Sequence, residues 1–357
     1  MKMTFRWFGT GYDPIPLQHI RQIPGVVGVI TTLYDKQAGD LWERDRIRSL
    51  KKDAADNGLE ISGIESVNIH DAIKAGLPER DKYVENYIKT LEILGEEGID
   101  MVCYNFMPVF DWTRSELAKI RPDGSNVLSY DQEVVDKINP ETMFEKMDSA
   151  SNGFMLPGWE PERMARIKEL FAIYRGVNDE RLFENLVYFL KAIMPVCDKY
   201  NIKMAIHPDD PAWPVFGLPR IITNKENLLK MCKAVENVHN GVTLCTGSLG
   251  SNPGNNIPDT IRALKGRVHF AHVRNVKHYA PGKFDEAAHL SSDGSLDVYE
   301  IMKAFYETGF DGCLRPDHGR MIWGEKGMPG YGLYDRALGI AYLNGIWESL
   351  SKTFPRR

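Results

Sequence analysis

Long apolar runs are missing from this chain of 357 residues: nothing approaches the roughly 20 residues that a bilayer-spanning helix needs. The opening MKMTFRWFGTGYD also lacks the apolar stretch of a secretory signal, so the expected compartment is the cytoplasm and no membrane partner is expected. Cysteine is scarce. Cys103, Cys197, Cys232, Cys245 and Cys313 are odd in number, scattered and without a CxxC pair, which argues against a disulfide framework or a zinc ribbon; each is expected to be a reduced, buried thiol. A basic excess is absent too, with 44 Lys and Arg against 49 Asp and Glu, a net charge of -5, and both signs interspersed. Nucleic-acid binders carry such an excess on one face, so no nucleic-acid partner is expected. There is no internal repeat, low-complexity tract or Pro/Ser-rich linker. Phosphate-loop, Ser-His-Asp and HExxH patterns are missing as well, and GTGYDP after the first strand only faintly echoes a dinucleotide fingerprint.

What is present is an ordinary globular composition, 43% hydrophobic and 26% charged, arranged as short β-type runs alternating with helical stretches. The strands are expected at 4–8, 26–31, 60–65, 101–105, 203–207, 242–245, 268–274 and 312–316. The helices between and after them are expected at 16–22, 42–57, 82–97, 180–199, 225–236, 259–265, 296–308 and 334–351. Strands joined through helices run parallel, and eight such units close most naturally into an α/β (β/α)8 TIM barrel. The stops Asn57-Gly58, Glu97-Gly98 and Thr308-Gly309 support these helix ends. The chain exceeds the roughly 250 residues of a plain barrel by about 100. Most of the surplus falls in three connections, 111–179, 275–295 and 318–333, each following a strand and therefore placed at the C-terminal mouth, where barrel active sites are built. These are read as long helical insertions. Residues 111–179 in particular are a partly helical insertion after strand four, because Met164, Ile167, Phe171 and Tyr174 recur at helical spacing. That segment suits a lid or a subunit contact, and residues 1–357 are read as a single barrel domain.

The positions of the metal-ligand side chains are the informative feature. His207 ends strand five, Cys245 ends strand six, His272 lies near the end of strand seven, and Asp317 follows strand eight. Singly, each has an ordinary explanation: a satisfied core histidine or cysteine, or an aspartate capping a helix. Together, at the same end of four successive strands, they converge on one point above the barrel. Two imidazoles, a thiolate and a carboxylate suit Zn²⁺, Fe²⁺ or Mn²⁺, the thiolate favouring the softer ions. Strand parity places Arg274 on the face of His272, and Arg315 on that of Asp317, whereas His269 points away. Beside a metal, Arg274 suits the carboxylate of an anionic substrate. Glu65, His70 and Asn105 also fall at the mouth and are expected to bind substrate. His318 has a pKa suited to proton transfer, and Tyr331 in the last mouth loop can donate a proton to a leaving hydroxyl; these are the two candidate catalytic residues.

The segments FRWFG, GIESVNIHDAIK, VCYNFMPVFDWTR, MAIHPDDP, LCTGS, HFAHVRN, RPDHGR and PGYGLYDRALG, in this order across nearly the whole chain, resemble the mannonate dehydratase family of the xylose-isomerase-like barrel group. The resemblance implies a hydro-lyase, a carbon–oxygen lyase that removes water from D-mannonate to give 2-keto-3-deoxy-D-gluconate in hexuronate (glucuronate) catabolism. It also implies one Mn²⁺ or Fe²⁺ per subunit, with ligands carried over onto His207, Cys245, His272 and Asp317. A small sugar acid is the expected substrate, and a homodimer the expected assembly. The alternatives are a related sugar isomerase or another sugar-acid dehydratase on the same barrel. Isomerases of this group usually hold two ions among several carboxylates, and only one dense donor set is visible here. An endonuclease on this barrel would want a basic groove, and a catalytically dead sugar-acid binder would show erosion at the mouth; neither is apparent.

Overall fold

The computed structural model describes residues 1–138 and 165–355. Its strands, in chain order, are β1 (Lys2–Arg6), β2 (Val26–Thr31), β3 (Glu60–Glu65), β4 (Met101–Tyr104), β5 (Glu116–Ile120), β6 (Asn126–Asp131), β7 (Lys203–Ile206), β8 (Asn240–Cys245), β9 (Val268–His272), β10 (Asn275–Ala280), β11 (Lys283–Ala287) and β12 (Cys313–Arg315). Eight of them close a parallel barrel in the order β1-β12-β9-β8-β7-β4-β3-β2, and these are the eight strands expected from the sequence.

The outer helices begin where the side chains dictate. Asn178, Asn224, Asn256 and Asp297 each accept a hydrogen bond from the backbone N–H three residues on, opening the helices Asp179–Tyr200, Lys225–Ala234, Ile257–Ala263 and Val298–Thr308. Such caps satisfy amides that the helix itself leaves unpaired. The helices Arg44–Asp56, Arg80–Glu96 and Tyr334–Thr353 complete most of the outer ring. Their apolar faces and the outer faces of the strands share one core, which includes Phe5, Val29, Leu91, Phe189, Leu244 and Leu343. A smaller plug of Ile30, Met101, Cys103, Ala205, Phe270 and Cys313 fills the barrel interior.

The mouth differs from the expectation of helical insertions. β5 and β6 form one hairpin, β10 and β11 another, and the two pair into an antiparallel sheet of order β10-β11-β6-β5. The turns carry Pro122-Asp123-Gly124 and Pro281-Gly282, a hairpin signal that short, partly polar strands such as ELAKI and KFDEA do not reinforce. Helix is present as well, at Ile167–Ile173; Met164, the first residue of the proposed helical stripe, lies outside the described residues. Ile167, Leu170 and Tyr174 from this segment join Phe8, Trp112, Leu128 and Tyr331 in a separate apolar cluster.

All five cysteines are buried and unpaired, and among the described residues no helix is long and apolar enough to cross a membrane. His269, on the strand face opposite His272, is 7% exposed and its Nε2 has no partner. Burial, reinforced by Lys203, Arg267 and His239, pushes its pKa from 6.5 down to about 4. The unfolded chain therefore takes up this proton first, so the stability from keeping His269 neutral is complete above pH 6.5 and declines as pH falls toward 4, by about 3 kcal/mol. Denaturant midpoints followed from pH 7 to pH 4.5 should fall more steeply for the wild type than for His269→Gln; parallel curves would exclude His269 as the source.

Candidate metal centre

Side chains on a strand alternate between faces, so the barrel interior rises in steps of two residues. Ile30, Cys103, Ala205, Phe270 and Cys313 form the apolar floor. Thr243 joins it by donating its hydroxyl to Ala205 O at 3.0 Å. Two residues further along the same strands stand Thr32, Asn105, His207, His272, Arg315 and Cys245. Arg6 and Glu65 reach this upper tier from β1 and β3, in register with Ile30 and Cys103. An apolar strand core thus ends in a polar ring at its C-terminal edge.

Within that ring the donor atoms of His207, Cys245 and His272 lie within 4.8 Å of one another. His207 Nε2 is 3.2 Å from His272 Nδ1. Ligands about 2.0–2.3 Å from one ion stand about 3–4 Å apart, so these three donors fit around a single cation, and Asp317 stands beside them, with Oδ2 3.4 Å from Cys245 Sγ and Oδ1 3.7 Å from His272 Nδ1. The His207 tautomer suits this. His207 Nδ1 lies 2.7 Å from Pro208 O; a proton donated there leaves Nε2 with its lone pair inward. His272 Nε2 lies 3.5 Å from Glu65 Oε1 and accepts from Arg315 Nε at 3.1 Å, and the same Nε donates to Glu65 Oε2 at 3.0 Å. Asp317 holds a left-handed φ of 60°, a conformation that costs a non-glycine residue energy and is retained where the surroundings require it.

Those surroundings are a buried charge network. Asp317 accepts from Arg274 Nε at 2.6 Å and pairs with Arg315 Nη1 at 2.9 Å. Burial opposes its charge, but His318, Arg315, His272 and Arg274 outweigh it and hold the carboxyl well below the usual range. Arg274 also donates to Asp210 at 2.6 Å and Glu286 at 3.1 Å, and Arg114 to the same two acids at 2.8 Å each. Glu286 falls to about 2, against its burial, through His318, Arg274 and Arg114. Gly247, just beyond Cys245, is dictated by this packing: a Cβ there would come within 2.5 Å of Arg274 Cζ.

His318 links the network to the cavity. Its Nδ1 is 2.8 Å from Glu286 Oε1 and its Nε2 2.9 Å from the Tyr331 hydroxyl. Burial pushes the Tyr331 pKa far up, despite Arg315, and so keeps the phenol protonated. A carboxylate orienting an imidazole that in turn meets a phenol is a proton-handling arrangement. His207, Asp317, His318 and Tyr331 line an inner chamber together with Arg6, Glu65, Asn105 and Arg315. A larger cleft of about 360 Å³ shares Tyr34, Lys36, Asn68, Asn105 and Asp111 with it. That cleft is lined by none of His207, Cys245, His272 and Asp317, whereas His207 and Asp317 line the inner chamber.

The sequence model described as D-mannonate dehydratase (UxuA) matches residues 1–357. The chain belongs to this family. It is 70% identical over 352 residues to "Mannonate dehydratase" of Brachyspira hyodysenteriae, covering 99% of each chain. It is 55% identical over 359 residues to the same-named protein of Geobacillus thermodenitrificans, covering 100% of this chain and 97% of that one. Among solved structures, mannonate dehydratase from Streptococcus suis serotype2 superposes with a TM-score of 0.90 at 41% identity, covering 100% of this chain and 96% of that one. A D-tagatose 3-epimerase-like protein, at TM-score 0.56 and 14% identity, shares the barrel fold.

In this member of the D-mannonate dehydratase family, the strand-end residues His207, Cys245, His272 and Asp317 stand together, as do His318 and Tyr331. Asn105 lines both chambers, its Oδ1 accepting from Met107 N at 3.1 Å. Three other expectations meet different surroundings. Arg274 faces the centre, but it is 1% exposed and its guanidinium is engaged by Asp317, Asp210, Glu286 and Ser248. Glu65 lines the inner chamber with both oxygens held by Arg315, at 2.8 and 3.0 Å. His70 lines only the outer cleft, where it caps the helix Asp71–Ala75 and stacks on Tyr83 at 3.6 Å. Sequence reasoning missed Glu286, Asp210 and Arg114. Asp210 stands in the conspicuous HPDDP run, whereas Glu286 lies on a strand within 275–295, a connection expected to be a helical insertion.

Proposed function

We propose that this chain removes water from D-mannonate to give 2-keto-3-deoxy-D-gluconate, as an enzyme of hexuronate (glucuronate) breakdown in the cytoplasm. The observation that carries this reading is the juxtaposition of the His207–Cys245–His272 cluster, with Asp317 beside it, and the Glu286–His318–Tyr331 chain, at a chamber that His207, Asp317, His318 and Tyr331 line, in a member of the D-mannonate dehydratase family. His207, Cys245, His272 and Asp317 would hold one divalent ion, Mn²⁺ or Fe²⁺. When bound, that ion supplies electrophilic stabilisation of the negative charge that builds up as the C2 proton leaves.

The side chains carry the proton chemistry. The C2–H bond breaks with its proton passing to a base, the C3–O bond breaks with a proton delivered to the departing hydroxyl, and the resulting enol becomes the keto acid. His318 and Tyr331 share one hydrogen bond, so a proton taken by one can be passed through the other. Glu286 positions His318 by accepting from Nδ1, which turns Nε2 toward Tyr331. Asn105 contributes hydrogen bonds to substrate hydroxyls. Arg274 acts as a positioning residue that holds Asp317, and Glu65 serves His272 and Arg315. His70, further out, would meet only a part of the substrate that extends into the outer cleft. The chain is read as one domain with residues 111–179 included, since β6 from that segment pairs with β11, and as a homodimer.

Protein reconstituted with Mn²⁺ or Fe²⁺ and incubated with a panel of aldonates should form a 2-keto-3-deoxy acid from D-mannonate. Absence of product from D-mannonate with every divalent metal tried would overturn the reading.

A further inference from the structure

We propose that Arg6, rather than Arg274, anchors the carboxylate of the substrate; this rests on the sugar-acid reading above. Arg6, Arg114, Arg220, Arg274, Arg315 and Arg336 are the buried arginines among the described residues. Four of them have acidic partners. Arg114 pairs with Asp210 and Glu286, Arg220 with Asp209, Arg274 with Asp210, Glu286 and Asp317, and Arg315 with Glu65 and Asp317. Arg336 directs its donors to the carbonyls of Gly332, Tyr331 and Arg6 and stands outside the inner chamber.

Arg6 is different. It is 5% exposed, lines the inner chamber with His207, Asp317 and Tyr331, and forms no ion pair among the described residues. Among the described residues its guanidinium makes one hydrogen bond, a long one from Nη1 to Ile30 O at 3.3 Å. A buried cation without a counter-charge is costly, and burial lowers its pKa accordingly. Glu65, the acid whose field it feels most strongly, is committed to Arg315. The Arg6 guanidinium sits over Phe8, 4.4 Å from the ring centre, and Phe8 packs edge-on against Tyr331 at 5.0 Å. The unpaired fork therefore lies on the side of the chamber that holds the proton-handling pair. A carboxylate there would supply the missing charge and match the planar fork with two hydrogen bonds, leaving C2 and C3 of an aldonate between the donor set and Tyr331.

The test uses the full-length, metal-loaded protein. Calorimetric titration in a Tyr331→Phe background, where turnover does not interfere, compares D-mannonate with D-mannitol, which lacks the carboxylate. Arg6→Met should weaken D-mannonate binding roughly 10- to 100-fold, leave the response to D-mannitol unchanged and retain bound metal. Arg6→Lys, which keeps the charge and loses the fork, should fall between. Undiminished D-mannonate affinity in Arg6→Met overturns the assignment, and so does an equal loss for both ligands or a loss of metal, either of which marks a structural role. Should Arg6→Met fail to fold, Arg6→Lys decides, since wild-type affinity in that variant overturns the assignment equally. Turnover of D-mannonate by the wild type judges the reaction separately, and the binding comparison stands whether or not product forms.

Discussion

Tyr331→Phe should lower the turnover of D-mannonate roughly 10²- to 10⁴-fold, the range expected for loss of a positioned proton carrier, while metal content stays at the wild-type level. The substitution is narrow. Phenylalanine keeps the edge contact with Phe8 and the place of the ring in its apolar cluster, and removes only the hydroxyl 2.9 Å from His318 Nε2. His318→Asn should cost a similar factor. Because the two groups share one hydrogen bond, the double variant should be little worse than the poorer single one, since residues acting as a unit are not additive. Steady-state rates paired with metal analysis provide the check. A fully active Tyr331→Phe protein would remove the phenol from the mechanism, and multiplying defects would show that the two act apart.

Cys245→Ala should lose its metal, retaining less than roughly a tenth of the wild-type stoichiometry after dialysis, because a thiolate ligand contributes directly to the binding free energy of the ion. His207→Ala should behave alike. Cys103→Ala is the informative control, because Glu65, Cys103 and His272 form a second close group of potential donors. That group is poorly suited to an ion. Burial pushes the Cys103 thiol far above its ordinary pKa, its sulfur lies 3.2 Å from Thr243 Oγ1, and Glu65 is taken by Arg315. Cys103→Ala should therefore keep its metal. Metal retained in Cys245→Ala and lost in Cys103→Ala would move the centre deeper into the barrel.

The barrel was legible because its strands are buried on both faces and read as short, nearly continuous apolar runs between helices with strong caps. The meeting of His207, Cys245, His272 and Asp317 was legible for a related reason: they interrupt that apolar pattern at corresponding strand ends. Parity identified the face of Arg274 but not its company. Asp210 and Glu286, which occupy its guanidinium, arrive from 64 residues earlier and 12 residues later in the chain, and no local pattern announces that meeting. The strands of the mouth were missed because each is short and partly polar, so their pairing is settled by tertiary contact more than by local preference. His318 and Tyr331 were recognised singly; their hydrogen bond, and the carboxylate behind it, required the fold.

The antiparallel sheet at the mouth divides the site by origin. His207, Cys245, His272 and Asp317 stand on or beside barrel strands, whereas Glu286 lies on β11, Arg114 just before β5, and Tyr331 in the loop whose aromatic contacts belong to the upper apolar cluster. Glu286 joins the two layers, meeting His318 on one side and Arg274, the partner of Asp317, on the other, so the placement of the sheet bears on both groups of residues at once.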